Sequence, residues 1–180
     1  AGCEIVSEAV RDEQIGAFIQ RVLFGELVPS TDVDHAEEFA GHVIDRFSNP
    51  YIRHALVDIT LQQTMKMRVR IIPAILDHVA VLGRVPMSIA LGFAAFLIYV
   101  RDVRADERTD DGAARIRELW RTSSERAIAS AACGDASLWG YDLNQDAPGF
   151  ADAVADYVVA IGQNGIRPVL EQHLAAQQRA

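Results

Sequence analysis

The chain has 180 residues, half of them apolar and 23% charged, which suffices for one domain with a hydrophobic core and excludes disorder or a fibrous repeat. Its net charge of −8, from 17 basic and 25 acidic residues with no basic block, argues against nucleic acid or an anionic membrane as the main partner. Two cysteines, Cys3 and Cys133, make neither a disulfide framework nor a CxxC pair, so reduced thiols and a cytoplasmic location are expected.

The predicted elements are helical throughout. Ile15, Phe18, Ile19, Val22 and Leu23 recur at helical spacing behind Asp12, a good N-cap. Pro29-Ser30-Thr31 breaks this run, and Asp34 opens a second helix with Phe39, Val43, Ile44 and Phe47 on its apolar face. Ser48-Asn49-Pro50 reads as a stop and a restart, because proline suits a first helical turn. The helix expected after Pro50 carries Ile52, Leu56 and Ile59 on one side and His54 and Asp58 on another. Pro73 marks a kink or a new start before Ile75 and Leu76, and Gly83 closes that segment. Pro86 begins the most apolar helix, which ends near Arg101-Asp102. The stretch Val85 to Val100 is 16 residues long and holds Pro86, Ser88 and Gly92, short of the roughly 20 residues that span a bilayer. A charged surface loop is expected over 104–112, a helix over 113–131 and a loop from Gly134 to Asn144. Two last helices, Phe150–Ile161 and Ile166–Leu174, are split by Gly162-Gln163-Asn164-Gly165. No segment alternates as a strand does, so the expected fold class is all-α.

Several chemistries have no motif here. There is no GxGxxG dinucleotide loop and no GxSxG elbow. The five histidines (35, 42, 54, 78 and 173) are scattered without metal-ligand spacing, so no metal is expected. Trp139 and Tyr141 read as packing residues. One number stands out: Lys66 is the only lysine beside 16 arginines. Where only positive charge is needed, arginine has replaced lysine, so a surviving lysine reads either as chance or as a need for the compact ammonium.

The run Asp45-Arg46-Phe47-Ser48-Asn49-Pro50-Tyr51-Ile52-Arg53-His54, continued by Asp58-Ile59-Thr60-Leu61-Gln62, Lys66, Arg70 and Pro73, resembles the C-terminal helical domain of the mannitol dehydrogenase family, the long-chain polyol dehydrogenases. In that family an RFxNPxI segment leads into a helix ending in a substrate-binding lysine, and Lys66 matches that position. Within the family, the NPYIRH and DITL segments, with Leu138-Trp139-Gly140-Tyr141-Asp142-Leu143 and Pro148-Gly149-Phe150, are most similar to the altronate oxidoreductase (tagaturonate reductase) group. Mannitol and fructuronate reductases resemble it less, since Asp58 stands at their arginine position and LQQTMK lacks their DGS. Gln62 replaces the asparagine usual in the altronate group.

The resemblance implies a multi-helical domain of the mannitol dehydrogenase and 6-phosphogluconate dehydrogenase C-terminal type over residues 1–180. It implies a parent enzyme that moves hydride between NAD and a six-carbon sugar acid, D-tagaturonate to D-altronate. The family's catalytic lysine lies in a KxxxxNxxH motif, and Ala1-Gly2-Cys3-Glu4-Ile5-Val6 resembles the residues that follow it. Hence the catalytic residues and the NAD-binding Rossmann domain belong to a preceding part, and the chain alone is expected to be inactive and to bind no cofactor.

The residues themselves offer a physical counterpart. On a continuous helix, His54, Asp58, Gln62 and Lys66 are spaced by four and trace one polar strip, fit to hold a row of hydroxyls and a carboxylate. The candidate substrate-binding set is therefore Lys66, His54 and Asp58, with Arg70 as a further carboxylate partner and Asn49 chiefly as a cap or turn residue. The partners expected are a small sugar-acid substrate and the Rossmann domain. The alternatives are a fructuronate- or mannitol-type domain, or a helical interaction module without catalysis. A Rossmann domain encoded directly upstream separates the enzyme readings from the last.

Overall fold

Hydrophobic burial decides the architecture, and one central helix takes the largest share of it. The computed structural model describes residues 3–103 and 110–177, so most of the expected charged loop, positions 104–109, lies outside the described residues.

The first helices, α1 (Val6–Arg11) and α2 (Glu13–Gln20), meet at Asp12. Its carboxylate accepts from the backbone N–H groups of Gln14 and Ile15 at 3.1 and 2.9 Å, the N-cap expected of it. The chain runs on through a π-helical stretch, Arg21–Leu27, and a 3-10 turn, Val28–Ser30, that contains Pro29. The next helix, α3 (Ala36–Ser48), does not open at Asp34. His35 occupies its N-cap in the left-handed region, with φ 59°.

Pro50 does not restart a helix. The Asn49 side chain accepts from Tyr51 N–H at 3.0 Å, a local turn that competes with helix initiation. The following backbone then pairs with the start of the chain. Ile5 and Ala55 form an isolated antiparallel bridge, with Val6 N–H donating to the His54 carbonyl and Leu56 N–H to the Glu4 carbonyl, each at 2.9 Å. Helix resumes as a single turn, α4 (Leu56–Ile59), and stops again. Gln62 takes a left-handed conformation, φ 51°, before α5 (Gln63–Lys66). A π-helical stretch, Met67–Ile71, joins α5 to α6 (Ile72–Leu82), which has Pro73 in its first turn and ends at Gly83 with φ 63°.

Pro86 precedes α7 (Met87–Asp102), as expected. Ile89, Ala90, Leu91, Phe93, Ala94, Phe96, Leu97 and Val100 are all buried, so this helix is covered on nearly every side. The helix expected over 113–131 is instead two, α8 (Asp111–Thr122) and α9 (Ala127–Cys133), because Ser123 turns extended. Inside the expected Gly134–Asn144 loop lies one single turn, α10 (Ala136–Trp139), and a second, α11 (Leu143–Asp146), starts at its end. The last pair, α12 (Phe150–Asn164) and α13 (Ile166–Gln177), is separated by Gly165 alone, whose φ of 78° suits glycine. Among the described residues there is no strand beyond that one bridge, and the all-α expectation holds.

Phe93 centres the core. Trp139 and Phe150 meet its ring edge-to-face at centroid distances of 5.4 and 5.6 Å. Burying each such aromatic contributes roughly 2–3 kcal/mol. The indole N–H of Trp139 donates to the Ala132 carbonyl at 2.7 Å, so its burial leaves no orphaned donor; Tyr141, two residues on, is exposed rather than packed.

Candidate functional site

Lys66 ends α5, at the point where the α-helical turn gives way to the π-helical one. Its ammonium donates to the Ile59 carbonyl at 3.0 Å, an acceptor that α4 leaves open at its C-terminus. That bond closes the α4–α5 reversal and leaves two N–H donors for a ligand. π-Helical turns of this kind recur at functional sites.

The other candidates stand around this reversal on different backbone. Asn49 ends α3 and spends its side chain on the turn to Tyr51, so it acts as a turn residue. His54 lies in the extended segment, with its carbonyl committed to Val6 and its side chain exposed. Asp58 is exposed on α4, and Arg70 is exposed on the π-helical stretch. The polar strip through His54, Asp58, Gln62 and Lys66 does not exist. It needed one unbroken helix, whereas the chain is extended at His54 and left-handed at Gln62. Among the described residues no hydrogen bond or ion pair links any two of Asn49, His54, Asp58, Lys66 and Arg70.

The same segment exposes apolar side chains. Tyr51 is 92% exposed, Val69 56% and Met65 46%, and Ile52, Val57, Ile59 and Leu61 are also exposed. A run of this size on one stretch of chain is the kind of surface that another body covers. Arg70 also borders an apolar groove of about 370 Å³ lined by Leu23, Leu27, Phe39, Pro73 and Asp77 among others.

A second cavity, of about 210 Å³, lies between the α4–α5 reversal and helices α7 and α8, bordered by Val57, Thr60, Thr64, Phe96, Tyr99 and Asp110. Sequence reasoning missed Thr64 and Asp110. The signal for Asp110 was present, since Asp-Asp-Gly-Ala-Ala before an apolar-periodic run is an N-cap signature.

Titratable groups elsewhere serve structure. Ser88 Oγ and His173 Nε2 lie 3.0 Å apart, and His173 Nδ1 and the Tyr157 hydroxyl 2.8 Å. Ser88 is fully buried, so this Ser-His-Tyr chain clamps α13 to α7 and α12 and cannot meet a substrate. Burial, with the Arg21 charge nearby, holds the His173 pKa below its ordinary value. Burial pushes the Cys133 thiol and the Tyr157 phenol up to about 12 each. Among the described residues no cluster of three or more His, Cys, Asp or Glu is poised for a metal, and no helix is long and apolar enough to cross a membrane.

Residues 1–162 match the family described as mannitol dehydrogenase C-terminal domain. Among curated proteins, the chain is 34% identical over 183 residues to an altronate oxidoreductase of Klebsiella pneumoniae (strain 342), covering 95% of this chain and 38% of that protein. It is 31% identical over 177 residues to an altronate oxidoreductase of Bacillus subtilis (strain 168), covering 96% of this chain and 36% of that protein. Among solved structures, Pseudomonas fluorescens mannitol 2-dehydrogenase, in a ternary complex with NAD and D-mannitol, superposes with a TM-score of 0.81 at 20% identity, over 97% of this chain and 36% of that one. The chain thus spans little more than a third of the length of each of these proteins.

Proposed function

Because the chain belongs to the mannitol dehydrogenase family as a C-terminal domain, we propose that it is the substrate-holding half of a sugar-acid dehydrogenase whose preceding half is a Rossmann domain that binds NAD. The proposed reaction interconverts D-tagaturonate and D-altronate. NAD, held by the preceding half, supplies the hydride chemistry; this chain binds and orients the substrate. The similarity to altronate oxidoreductases over nearly the whole chain supports that substrate class.

The observation that carries the reading is Lys66. The only lysine of the chain falls at the family's substrate-lysine position, and its ammonium is steadied by one carbonyl with two donors to spare. It takes the substrate's carboxylate or a hydroxyl. Arg70, one turn on, offers a second cation, while His54 and Asp58 hold neighbouring hydroxyls and Asn49 shapes the turn before them. The exposed apolar segment from Tyr51 to Val69 is the face that the Rossmann half covers. The pairing of residues 4–6 with the backbone at His54 and Leu56 supports an entry of the preceding half beside these residues.

Lys66→Ala in the full-length enzyme tests this. Losing a charge-assisted hydrogen bond costs about 1.5–3 kcal/mol, so kcat/KM falls roughly ten- to hundredfold. Lys66→Arg is impaired too, because a planar fork does not fit where a compact ammonium does. Unchanged kcat/KM in both variants refutes the substrate role. The 180-residue chain alone should reduce no tagaturonate with NADH.

A further inference from the structure

We infer that Asp110 is the positioning residue of the candidate site: it caps two helices at once and so sets the direction of Lys66. One carboxylate oxygen accepts from Ala113 N–H at 2.9 Å and caps α8. The other accepts from Thr64 N–H at 2.9 Å and from Met65 N–H at 3.4 Å, the first-turn amides of α5. Each helix start leaves such N–H groups without intrahelical partners, and a carboxylate there also meets the positive end of the peptide dipoles.

The helical run that carries Lys66 has no cap of its own at its start. α5 is its first turn, continued through the π-helical stretch into α6, and Gln62 at the N-cap makes no side-chain cap bond. The cap comes instead from a residue 46 positions further along the chain. A second contact fixes the same register. A Cβ on Gly112 would sit 2.2 Å from Thr64 Cγ2, so the Thr64 side chain seats directly on the backbone of α8 where only glycine leaves room. Since α8 packs on the buried α7, the rigid core frame passes through Asp110 and Gly112 to α5. From α5 it reaches the Lys66 ammonium, which is tethered back to Ile59. The Lys66 direction is therefore borrowed from the core. What that direction means for catalysis rests on the substrate role proposed above; the positioning itself does not.

The lone lysine makes this directly readable, because chain grown with 13C-lysine gives the side-chain NMR signals of Lys66 alone. Capping bonds of this kind shift a local helix equilibrium about fivefold each. Asp110→Ala should therefore merge the two Hε signals of Lys66 into a mobile, averaged one and speed its acetylation by acetic anhydride about fivefold. Asp110→Asn keeps one oxygen acceptor for one helix and should fall between. It remains the test should the alanine variant fail to fold. Asp142→Ala, which removes the cap of the separate single turn α11, should change neither readout. A folded Asp110→Ala or Asp110→Asn with unchanged Lys66 signals overturns the inference, as does an equal change in Asp142→Ala. Changed Lys66 signals in this chain, with an unchanged KM for the same variant of the full-length enzyme, leave the positioning intact and count against the substrate role instead.

Discussion

Glu26 is the sharpest test of how the core is held. It is only 5% exposed, and its carboxylate accepts from Ser88 N–H at 2.6 Å and Ile89 N–H at 2.8 Å. These are first-turn donors of α7, whose own N-cap residue, Pro86, has no side chain able to take them. The same residue's carbonyl receives Nδ1–H of the buried His78 at 2.9 Å and the hydroxyl of Ser30 at 2.7 Å. Glu26→Ala keeps those carbonyl bonds and strips both amides of their acceptor. An unsatisfied buried donor costs about 1–3 kcal/mol, so two cost about 2–6 kcal/mol, with water entering the vacated space responsible for the lower figure. For a chain of this size each kcal/mol moves the midpoint by roughly 2–4 °C, which gives an expected drop of about 4–24 °C. Thermal melts followed by far-UV circular dichroism, with urea titration as a check, read this. Glu26→Gln retains one acceptor oxygen and turns an NH2 toward the other amide, so it should recover no more than about half of the loss. A melt of Glu26→Ala within about 2 °C of the parent chain would refute the reasoning, because the α7 amides would then need no buried acceptor.

Two further outcomes follow from backbone and burial. Gln62 is held at φ 51°, where a Cβ is strained, least so in asparagine, and glycine is free of it, so Gln62→Gly should raise stability by about 0.5–1 kcal/mol and Gln62→Asn by a smaller amount; a lowered melting temperature in both would refute the strain. The folded chain holds Cys133 and Tyr157 protonated up to about pH 12, whereas their ordinary values are 9.0 and 10.0, so the unfolded chain sheds these protons first. Their contribution is full below pH 9 and is lost as pH rises toward 12, at up to about 1.4 kcal/mol per pH unit for the buried Cys133 and less for the half-buried Tyr157; Cys133→Ala should delay its onset, and a flat denaturation profile between pH 9 and 11 would contradict it.

Much of the fold was legible because burial and breakers decided it. The run after Pro86 is apolar on every face and becomes the core helix, while Gly83, Gly165 and the Asp12 cap fall where local rules put them. The failures share a cause. Pro50 invites a helix by local preference, but residues 4–6 compete for the backbone of His54 and Leu56, and no local pattern announces a partner some 50 positions away. The break after Thr122 occurs without glycine or proline, and Gln62 takes a conformation its type disfavours. For the candidate site, the sequence singles out Lys66 by its rarity and by the motif around it. The His54–Asp58–Gln62–Lys66 strip was not, since it presumed a helix that tertiary pairing dissolves. Asp110 escaped because its meaning depends on Thr64 and Met65, which come before it by 46 and 45 positions.

These irregularities gather in one place, and electrostatics gives a reason for the last of them. In a continuous α-helix, Lys66 and Arg70 would stand one above the other, and like charges four apart repel by a few tenths of a kcal/mol. The π-helical turn over Met67–Ile71 closes its hydrogen bonds one residue wider, so Arg70 swings round relative to Lys66. Arg70 then borders the groove beside Pro73 and Asp77, while Lys66 turns back to the Ile59 carbonyl. The two cations thus have different neighbours and do not stand one above the other. A regular helix would give up that arrangement for better backbone geometry. The chain instead places a single-turn helix, a left-handed residue and a widened turn in succession beside a buried core, and local regularity gives way where Lys66 and Arg70 take different neighbours.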